Sequence, residues 1–392
     1  MTSPMFLESK VYKPFLYPWA VDITVDHERM HWIEEEADLG DDATDWKGGR
    51  LTDTEKNFVT QILRMFTQSD VSVGGFYFDI LIPKFKNNEI RNMLSSFATR
   101  EGIHQRAYSL LNETLGLPEG DYAAFREYKE MADKAEFMVD ADPSTRKGLA
   151  LALSKSVFNE GVSLFASFVM LLNFQRRGVM KGMGKIVEWS VRDETKHIEG
   201  IAQLFRTYCA EFPHIVNDEF KKSIYDIART VVELEDRFID LAYAMGAVEG
   251  LTADEVKQYI RYIADRRLVM LGLKPNFDID KNPLPWVDWI LNGADHTNFF
   301  EARVTEYEVA GLTGEWDYKG IPEFIVYKKE GCDYCTKALE MLKGRNVQVI
   351  NASQDQNAYQ YIKAQFGTFP QIWRYGVYIG GHDALKRELE HA

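Results

Sequence analysis

The chain has 392 residues, of which 45% are hydrophobic and 27% are charged, a composition typical of a globular protein long enough for two domains. Its formal net charge of −14 argues against nucleic acid as the main partner, because phosphate binding needs clustered lysine and arginine side chains. The first residues, MTSPMFLESKVYKPF, lack the apolar core of a signal peptide, and the most apolar stretch, residues 164–174, is too short to span a bilayer. We therefore expect a cytoplasmic protein with no membrane partner.

Between about residues 51 and 273, apolar residues recur with helical spacing, and no heptad pattern is sustained. The sequence TDTE, with Thr52 and Glu55, is typical of a capping box at the start of a helix. Six long helices are predicted, at about 53–83, 87–116, 143–177, 180–211, 215–246 and 252–270. This pattern favours a large helical bundle over a coiled coil.

The pattern changes after residue 282, where aromatic residues and glycine replace the helical periodicity. From residue 321 the order strand, helix, strand, helix, hairpin, helix is predicted, and a C-x-x-C sequence opens the first of these helices. That order indicates a small α/β domain with a thioredoxin-like fold. We divide the chain into a first domain (1–301), a linker (302–320) and a second domain (321–392).

Glu-x-x-His occurs five times, and only its context can separate metal ligands from coincidence. The five pairs are Glu28/His31, Glu101/His104, Glu194/His197, Glu211/His214 and Glu388/His391. The first pair precedes the long helices, a proline interrupts the fourth, and the fifth lies at residues where fraying is expected. We interpret these three pairs as surface coincidences.

The second and third pairs lie inside long helices, where residues three apart share one face. An acid, Asp70 or Glu160, lies in the helix before each pair. One acid from each of two helices and Glu-x-x-His from each of two others is the ligand pattern of dinuclear carboxylate bundles, and it suits iron or manganese. Charged residues on solvated faces would explain poorly why Glu160 lies in the apolar stretch SVFNEGVSLFASFVMLL.

With these ligands placed, the chain resembles the radical-generating (beta) subunit of class I ribonucleotide reductase over roughly residues 10–310. The motifs are YPWA, HW before an acidic stretch, EGIHQRAY, NEG, RDETKH, RRLVMLGL and NFFEARVTEY. The resemblance implies an all-α ferritin-like helical bundle and a homodimer that acts with a catalytic (alpha) subunit. It also implies six metal ligands: Asp70, Glu101, His104, Glu160, Glu194 and His197.

Tyr108 stands one helical turn after His104, and the resemblance makes it the tyrosine that is oxidised to a stable radical. A core tyrosine with a satisfied hydroxyl is the alternative interpretation. Leu164 and Phe168 follow Glu160 at helical spacing, and they fit either a dry pocket around the radical or plain core packing.

Radical transfer out of the bundle is implied by the resemblance to pass through Trp32, Asp193 and His104. Trp32 could equally be structural. A tyrosine of the tail normally continues this path, and Tyr307 and Tyr318 are both candidates. The segment GEWDY is a candidate for docking on the catalytic subunit.

The second domain resembles glutaredoxin through EGCDYC, TFPQIW and GGHD, with Asp333 at the position where that family more often has proline. Cys332 is the expected nucleophile and Cys335 the resolving thiol; half a zinc site is the alternative, but no second Cys pair completes one. Pro370 matches the cis-proline of the family. Cys209 is expected to be a buried or incidental thiol. The positions that match glutathione contacts are Lys329, Tyr334, Thr368, Phe369, Pro370, Gly381 and Asp383.

Together these features predict a small subunit of ribonucleoside-diphosphate reductase that forms a tyrosyl radical at a dinuclear metal site. The fused glutaredoxin is expected to reduce the disulfide of the catalytic subunit with glutathione. Two alternatives stay open: a ferritin-like di-metal oxidase or oxygenase acting on a small substrate, and a metal store or sensor without catalysis. The ligand set accepts iron and manganese equally.

Overall fold

The computed structural model describes residues 3–292, 322–374 and 377–390. The first of these ranges is a helical bundle. Its helices are α1 (Pro18–Arg29), α2 (Gly40–Lys47), α3 (Asp53–Phe76), α4 (Ile82–Lys84), α5 (Asn88–Leu115), α6 (Lys129–Val139), α7 (Arg146–Phe158), α8 (Phe165–Arg176), α9 (Lys181–Glu211), α10 (Asp218–Ala242), α11 (Ala253–Met270) and α12 (Pro285–Asn292). The all-α bundle predicted from the periodicity is confirmed.

Helix boundaries agree with local sequence signals. Thr52 and Glu55 form the predicted capping box at the start of α3, and the side chain of Asn87 accepts a hydrogen bond from the backbone at the start of α5. Helix α5 ends at Gly116, whose φ of 74° is the left-handed conformation that glycine adopts at little cost. The short helices α1, α2 and α6 were not predicted, because their apolar faces are brief.

Two of the six predicted helices were wrong as continuous α-helices. A π-helical segment, Tyr77–Leu81, follows α3, and a second one, Asn159–Ser163, separates α7 from α8. A π-turn holds one extra residue, which leaves the apolar pattern almost unchanged and is therefore hard to see in a sequence.

Buried side chains bind the backbone of the second π-helical segment. Lys134 Nζ donates to the carbonyl oxygen of Ser163 at 2.6 Å, and Arg267 Nε donates to that of Gly161 at 3.1 Å. The side-chain amide of Asn159 donates to a backbone carbonyl of α6 at 3.0 Å. These contacts satisfy polar groups that a regular helix would satisfy internally, so they hold the segment in place.

One helical stretch, Arg146–Arg176, contains an 18-residue window with a mean hydropathy of 1.5, long and apolar enough to cross a membrane. The expectation that the apolar stretch was too short considered residues 164–174 alone and missed its continuation toward the N-terminus. The whole window is buried inside the bundle, as in the core helix of a folded domain.

The second domain is a four-stranded sheet flanked by helices. Its elements are β1 (Phe324–Lys328), α13 (Asp333–Met341), β2 (Val347–Asn351), α14 (Gln356–Gln365), β3 (Gln371–Arg374), β4 (Val377–Gly380) and α15 (His382–Glu390). The strand order is β2-β1-β3-β4, with β1 parallel to β2 and the other pairs antiparallel. The predicted order of elements and the thioredoxin-like fold are confirmed.

Candidate dinuclear metal centre

Six side chains from three helices and one π-helical segment converge in the core of the bundle. Helix α3 carries one of them, α5 and α9 carry two each, and the second π-helical segment carries one. They are Asp70, Glu101, His104, Glu160, Glu194 and His197, and each is at most 2% exposed. We call these six residues the metal cluster. Their ligand atoms form two overlapping groups, each small enough to surround one ion.

The geometry separates bridging carboxylates from terminal ones. Glu101 has one oxygen 3.0 Å from Nδ1 of His197 and the other 3.6 Å from Nδ1 of His104. Glu194 likewise lies 3.3 Å from Nδ1 of His104 and 3.5 Å from Nδ1 of His197. Glu160 Oε2 is 3.3 Å from His197 Nδ1, whereas Asp70 groups with His104. This arrangement fits two ions, each with one imidazole and one terminal carboxylate, joined by two bridging glutamates.

Unpaired polar atoms support this fit. Among the described residues, Asp70 Oδ2, both carboxylate oxygens of Glu101 and Glu194, and Nδ1 of His197 have no hydrogen-bond partner. Buried carboxylates that lie close together without a well-aligned hydrogen bond are costly unless a cation neutralises them. The donor set of oxygen and imidazole nitrogen is the one that iron and manganese accept. The residues present therefore fit a pair of divalent ions.

Burial and like charges raise the pKa of Asp70 well above its ordinary value, with Glu101 and Glu194 contributing to the rise. Burial alone would raise the pKa of Glu101 too, but its contacts with His104 and His197 outweigh that effect and lower it. The buried acids of the cluster therefore differ in the direction of their pKa shifts, according to how closely each contacts the two imidazoles.

The outer nitrogen of His104 contacts a buried carboxylate. His104 Nε2 lies 3.2 Å from Asp193 Oδ2, which also accepts a 2.7 Å hydrogen bond from Trp32 Nε1. The other oxygen of Asp193 accepts from Arg100 at 2.7 Å. Burial would raise the pKa of Asp193, but His104 and Arg100 hold it below its usual range. The structure thus brings together the three residues predicted to begin the radical-transfer path.

The outer nitrogen of His197 contacts a histidine that the sequence analysis did not select. His27 Nε2 lies 3.1 Å from His197 Nε2, and His27 Nδ1 lies 2.8 Å from the hydroxyl of Ser96. His27 is fully buried, and it continues the apolar stripe that α1 forms with Ala20 and Ile23. A histidine on an apolar helical stripe was the sequence signal for His27, but this residue is not part of a Glu-x-x-His pair.

Tyr108 is fully buried in an aromatic environment. Its hydroxyl donates to Ser190 Oγ at 3.1 Å, and its ring packs edge-on against Phe66, 4.5 Å between centroids. Phe66 in turn contacts Phe168 at 5.2 Å. Burial raises the pKa of Tyr108 well above its ordinary value, with the charge of Asp70 adding to the rise. Phe168, 1% exposed, therefore borders this dry region, and Leu164 is equally buried.

The thiol site lies at the start of α13. Cys332 and Cys335 form a disulfide, and the backbone N–H of Cys335 donates to Cys332 Sγ at 3.1 Å. Cys332 Sγ lies 3.7 Å from the carbonyl oxygen of Phe369, which precedes Pro370 in the predicted cis peptide bond. Cys209 is a buried free thiol, in agreement with the sequence analysis.

The residues predicted to contact glutathione lie on α13, on the segment that ends in the cis-proline, and on the segments that follow β1 and β4. The ring of Tyr334, 58% exposed, lies 5.4 Å from that of His382, next to Asp383. A Cβ placed on Gly381 would lie 3.3 Å from the carbonyl oxygen of Pro370. Thr368 is exposed beside Phe369, and Lys329 lies just after β1.

Two predicted radical-transfer residues, Tyr307 and Tyr318, lie outside the described residues, as does the segment GEWDY. The linker prediction falls on the same part of the chain.

Where the structure describes them, the residues of the three rejected Glu-x-x-His pairs contribute nothing to the metal cluster. Glu211 was expected at the surface, but it is half-buried and accepts a 2.7 Å hydrogen bond from Tyr17. Helix α1 ends between Glu28 and His31. Glu388 pairs with Arg374 at 3.2 Å. His391 lies outside the described residues.

Residues 9–283 match the family described as ribonucleotide reductase, small chain. The chain belongs to that family. Residues 324–379 match glutaredoxin, so this ribonucleotide reductase small chain carries a fused glutaredoxin domain. Both family resemblances inferred from the sequence motifs are confirmed. Membership identifies the chain as an oxidoreductase of deoxyribonucleotide synthesis, with thiol-disulfide oxidoreductase activity in its second domain.

The "Probable ribonucleoside-diphosphate reductase small subunit 048L" of Invertebrate iridescent virus 3 is 44% identical over 333 residues, covering 80% of this chain and 88% of the relative. The "Ribonucleoside-diphosphate reductase subunit beta" of Chlamydia pneumoniae is 30% identical, covering 76% of this chain and 90% of the relative. A putative class I ribonucleotide reductase from Bacillus halodurans has a similar fold, with a TM-score of 0.65 at 20% identity, covering 69% of this chain and 98% of that one.

Proposed function

We propose that the first domain binds two iron or manganese ions at the metal cluster and generates a radical on Tyr108 for a separate catalytic subunit. The observation that carries this proposal is the pair of glutamates, Glu101 and Glu194, that each face both histidines. When bound, the metal pair supplies one-electron oxidising power after reaction with dioxygen or a related oxidant.

The protein's contribution is to hold the ligands, keep the region dry and direct proton and electron movement. Phe66 and Phe168 shield Tyr108 from water, and Ser190 fixes its hydroxyl. Asp193 holds the imidazole of His104 in one orientation and links it to Trp32. This link gives the radical a buried hydrogen-bonded route away from the cluster.

A di-metal oxidase acting on a small organic substrate is disfavoured by the space available. The cavity that reaches Glu160, beside Phe76 and Ser156, leaves room for about one water molecule. That space suits a diatomic oxidant better than an organic substrate.

The test is electron paramagnetic resonance on the full chain loaded with Fe(II) and exposed to air, beside Tyr108→Phe. We expect a stable tyrosyl signal in the parent chain and its loss in the variant, with equal iron content. No tyrosyl signal from the parent with two irons per chain, and none after the same experiment with Mn(II) and a superoxide source, would contradict the radical function.

We also propose that the glutaredoxin domain reduces the disulfide that each turnover leaves in the catalytic subunit. The thiolate of Cys332 attacks that disulfide, Cys335 resolves the mixed disulfide, and two glutathione molecules then reduce the Cys332–Cys335 bond and leave as glutathione disulfide. The position of Cys332 at a helix N-terminus, where the Cys335 N–H points at its sulfur, supports a stabilised thiolate.

Cys332→Ser should abolish glutathione-driven turnover of the enzyme reconstituted with its catalytic subunit, while the radical signal stays unchanged. Cys209→Ala, which changes the buried free thiol, is the matched control and should leave both unchanged. Full glutathione-driven turnover by Cys332→Ser without added glutaredoxin would refute this role. We propose further that the chain forms a homodimer, that its second domain binds glutathione, and that it acts in the cytoplasm.

A further inference from the structure

A second buried tyrosine contacts the metal cluster directly. Tyr77, the first residue of the π-helical segment Tyr77–Leu81, is fully buried, and its hydroxyl donates a 2.7 Å hydrogen bond to Oε2 of Glu160. Its ring lies 6.1 Å from the imidazole of His197 and 6.0 Å from Phe97, between centroids. Tyr77 therefore approaches the half of the cluster that contains Glu160 and His197.

Tyr108 relates to the cluster differently. Its hydroxyl donates to the neutral hydroxyl of Ser190. Tyr108 lies one turn after His104 on α5, and its hydroxyl is not bonded directly to a ligand carboxylate. Of these two tyrosines, Tyr77 has the more direct connection to a metal ligand.

Packing alone does not explain the hydroxyl of Tyr77. A phenylalanine would fill the same space between Phe97 and His197, and Ser156 already donates to the other oxygen of Glu160 at 2.6 Å. The hydroxyl donates to a side chain that is expected to bind metal, and it does so inside the dry core.

We propose that Tyr77 is a second redox-active tyrosine of this centre, oxidised when Tyr108 does not supply the electron. This proposal rests on the metal site proposed above. The O–H bond of Tyr77 would break, its proton would move to Oε2 of Glu160, and its electron would reduce by one electron a bound metal pair that dioxygen has oxidised. Tyr77 would be left as a neutral radical.

The surroundings favour moving the proton and the electron together. Tyr77 is fully buried beside the carboxylate of Glu160, so a tyrosinate anion there would place two negative charges together in the dry core. The existing hydrogen bond gives the proton an acceptor at 2.7 Å, so no unpaired charge is left on the phenol in the dry core. Tyr77 can therefore supply an electron that would otherwise be taken from other core side chains.

The experiment uses the full chain with Fe(II), mixed with oxygenated buffer and frozen at intervals for electron paramagnetic resonance. Four proteins are compared: the parent, Tyr108→Phe, Tyr77→Phe, and the double variant. Iron content per chain is measured for each. We expect the stable signal in the parent and in Tyr77→Phe, a shorter-lived tyrosyl signal in Tyr108→Phe, and no tyrosyl signal in the double variant.

Tyr259→Phe combined with Tyr108→Phe is the matched control, because Tyr259 is equally buried but packs against Tyr262. The short-lived signal should survive this change. If the double variant binds iron poorly, replacing Tyr77 by 3-fluorotyrosine in the Tyr108→Phe chain keeps the hydroxyl. The fluorine should then change the hyperfine splitting of the signal.

Each outcome is decisive. Tyr108→Phe with a full iron load and no transient tyrosyl signal, beside a parent that shows the stable signal, would overturn the role of Tyr77 and leave the proposed function intact. A transient signal that persists in the iron-loaded chain carrying Tyr77→Phe and Tyr108→Phe would come from another tyrosine and would also overturn the proposal. The same holds for a transient signal that 3-fluorotyrosine at position 77 leaves unaltered. No tyrosyl signal in any iron-loaded protein, and none after the same experiment with Mn(II) and a superoxide source, would overturn both proposals.

Discussion

The indole nitrogen of Trp32 donates a 2.7 Å hydrogen bond to Oδ2 of Asp193, the same atom that lies 3.2 Å from Nε2 of His104. Trp32 is 1% exposed although it lies outside the helices, between α1 and α2. Its neighbour Trp189 lies 5.0 Å away between ring centroids. The two tryptophans thus allow the hydrogen bond to be tested separately from aromatic packing.

Trp32→Phe should lower turnover with the catalytic subunit by roughly 10- to 100-fold, because it removes the donor to Asp193 while keeping an aromatic ring. Metal content and the tyrosyl signal should stay unchanged, since neither depends on the indole N–H. Trp189→Phe is the control and should retain most of the turnover. Equal turnover losses in the two variants would mean that packing, and not the hydrogen bond, is what matters.

His27→Leu should weaken binding of one of the two metal ions by roughly 10- to 100-fold, because His197 would lose the partner of its outer nitrogen. Burial and the neighbouring charges of His197 and Arg100 lower the pKa of His27 to about 2, so it stays neutral and can accept a hydrogen bond. Metal release to a chelator should become biphasic, with one ion lost faster.

The imidazole of His104 keeps its contact with Asp193 in His27→Leu. The ion that is released slowly from this variant should therefore bind as tightly as in the parent. Ser96→Ala removes only the outermost group of this chain of contacts and should have a smaller effect. A uniform loss of both ions from His27→Leu would indicate a general loss of structure.

Lys134→Met should destabilise the fold by about 3–5 kcal/mol at pH 8 and by less at pH 5.5. Lys134 pairs with Glu235 at 2.6 Å, and both side chains are at most 2% exposed. Burial raises the pKa of Glu235 to about 7, although Lys134 opposes the rise. The folded chain thus binds the carboxyl proton of Glu235 more tightly than the unfolded chain does. The contribution of Glu235 to stability therefore falls as the pH rises from about 4.5 to about 7.

Removing the ammonium group of Lys134 raises the pKa of Glu235 further. As the pH rises, the variant therefore continues to lose stability to a higher pH than the parent does. Urea unfolding at the two pH values measures the difference. Adding Glu235→Gln to Lys134→Met should remove most of the pH dependence. A destabilisation equal at pH 5.5 and pH 8 would show that the charge of Glu235 is not its cause.

Asp333→Asn should lower the pKa of the Cys332 thiol by less than about one pH unit, because an exposed carboxylate next to the thiolate disfavours it only weakly. The pH dependence of thiolate absorbance measures this in the reduced full chain carrying Cys335→Ser and Cys209→Ala. Thr336→Val, on the same exposed turn, is a control without a charge change. An unchanged or higher pKa in Asp333→Asn would contradict the expectation.

The positions of the proposed ligands could be predicted because short-range patterns in the sequence mark them. Glu101 and His104 share a face of α5 by spacing alone, and Glu160 was recognisable as an acid in an apolar stretch. His27 could not be found in this way, because its importance depends on the approach of α1 to α9. Tyr77 was missed for a related reason: its hydroxyl meets Glu160, 83 residues further along the chain, only through tertiary packing.

The π-helical segment that holds Glu160 interrupts the regular α-helical hydrogen bonding between α7 and α8, and it also positions this side chain in the metal cluster. Deleting one residue from Asn159–Ser163, for example Val162, would let α7 and α8 join as one ordinary α-helix with better internal hydrogen bonding. Every side chain on one side of the deletion would then rotate by about 100° relative to the other side. Either Glu160 or the residues after it would lose their place in the core. A chain shortened in this way would have a more regular helix but would no longer assemble the metal cluster.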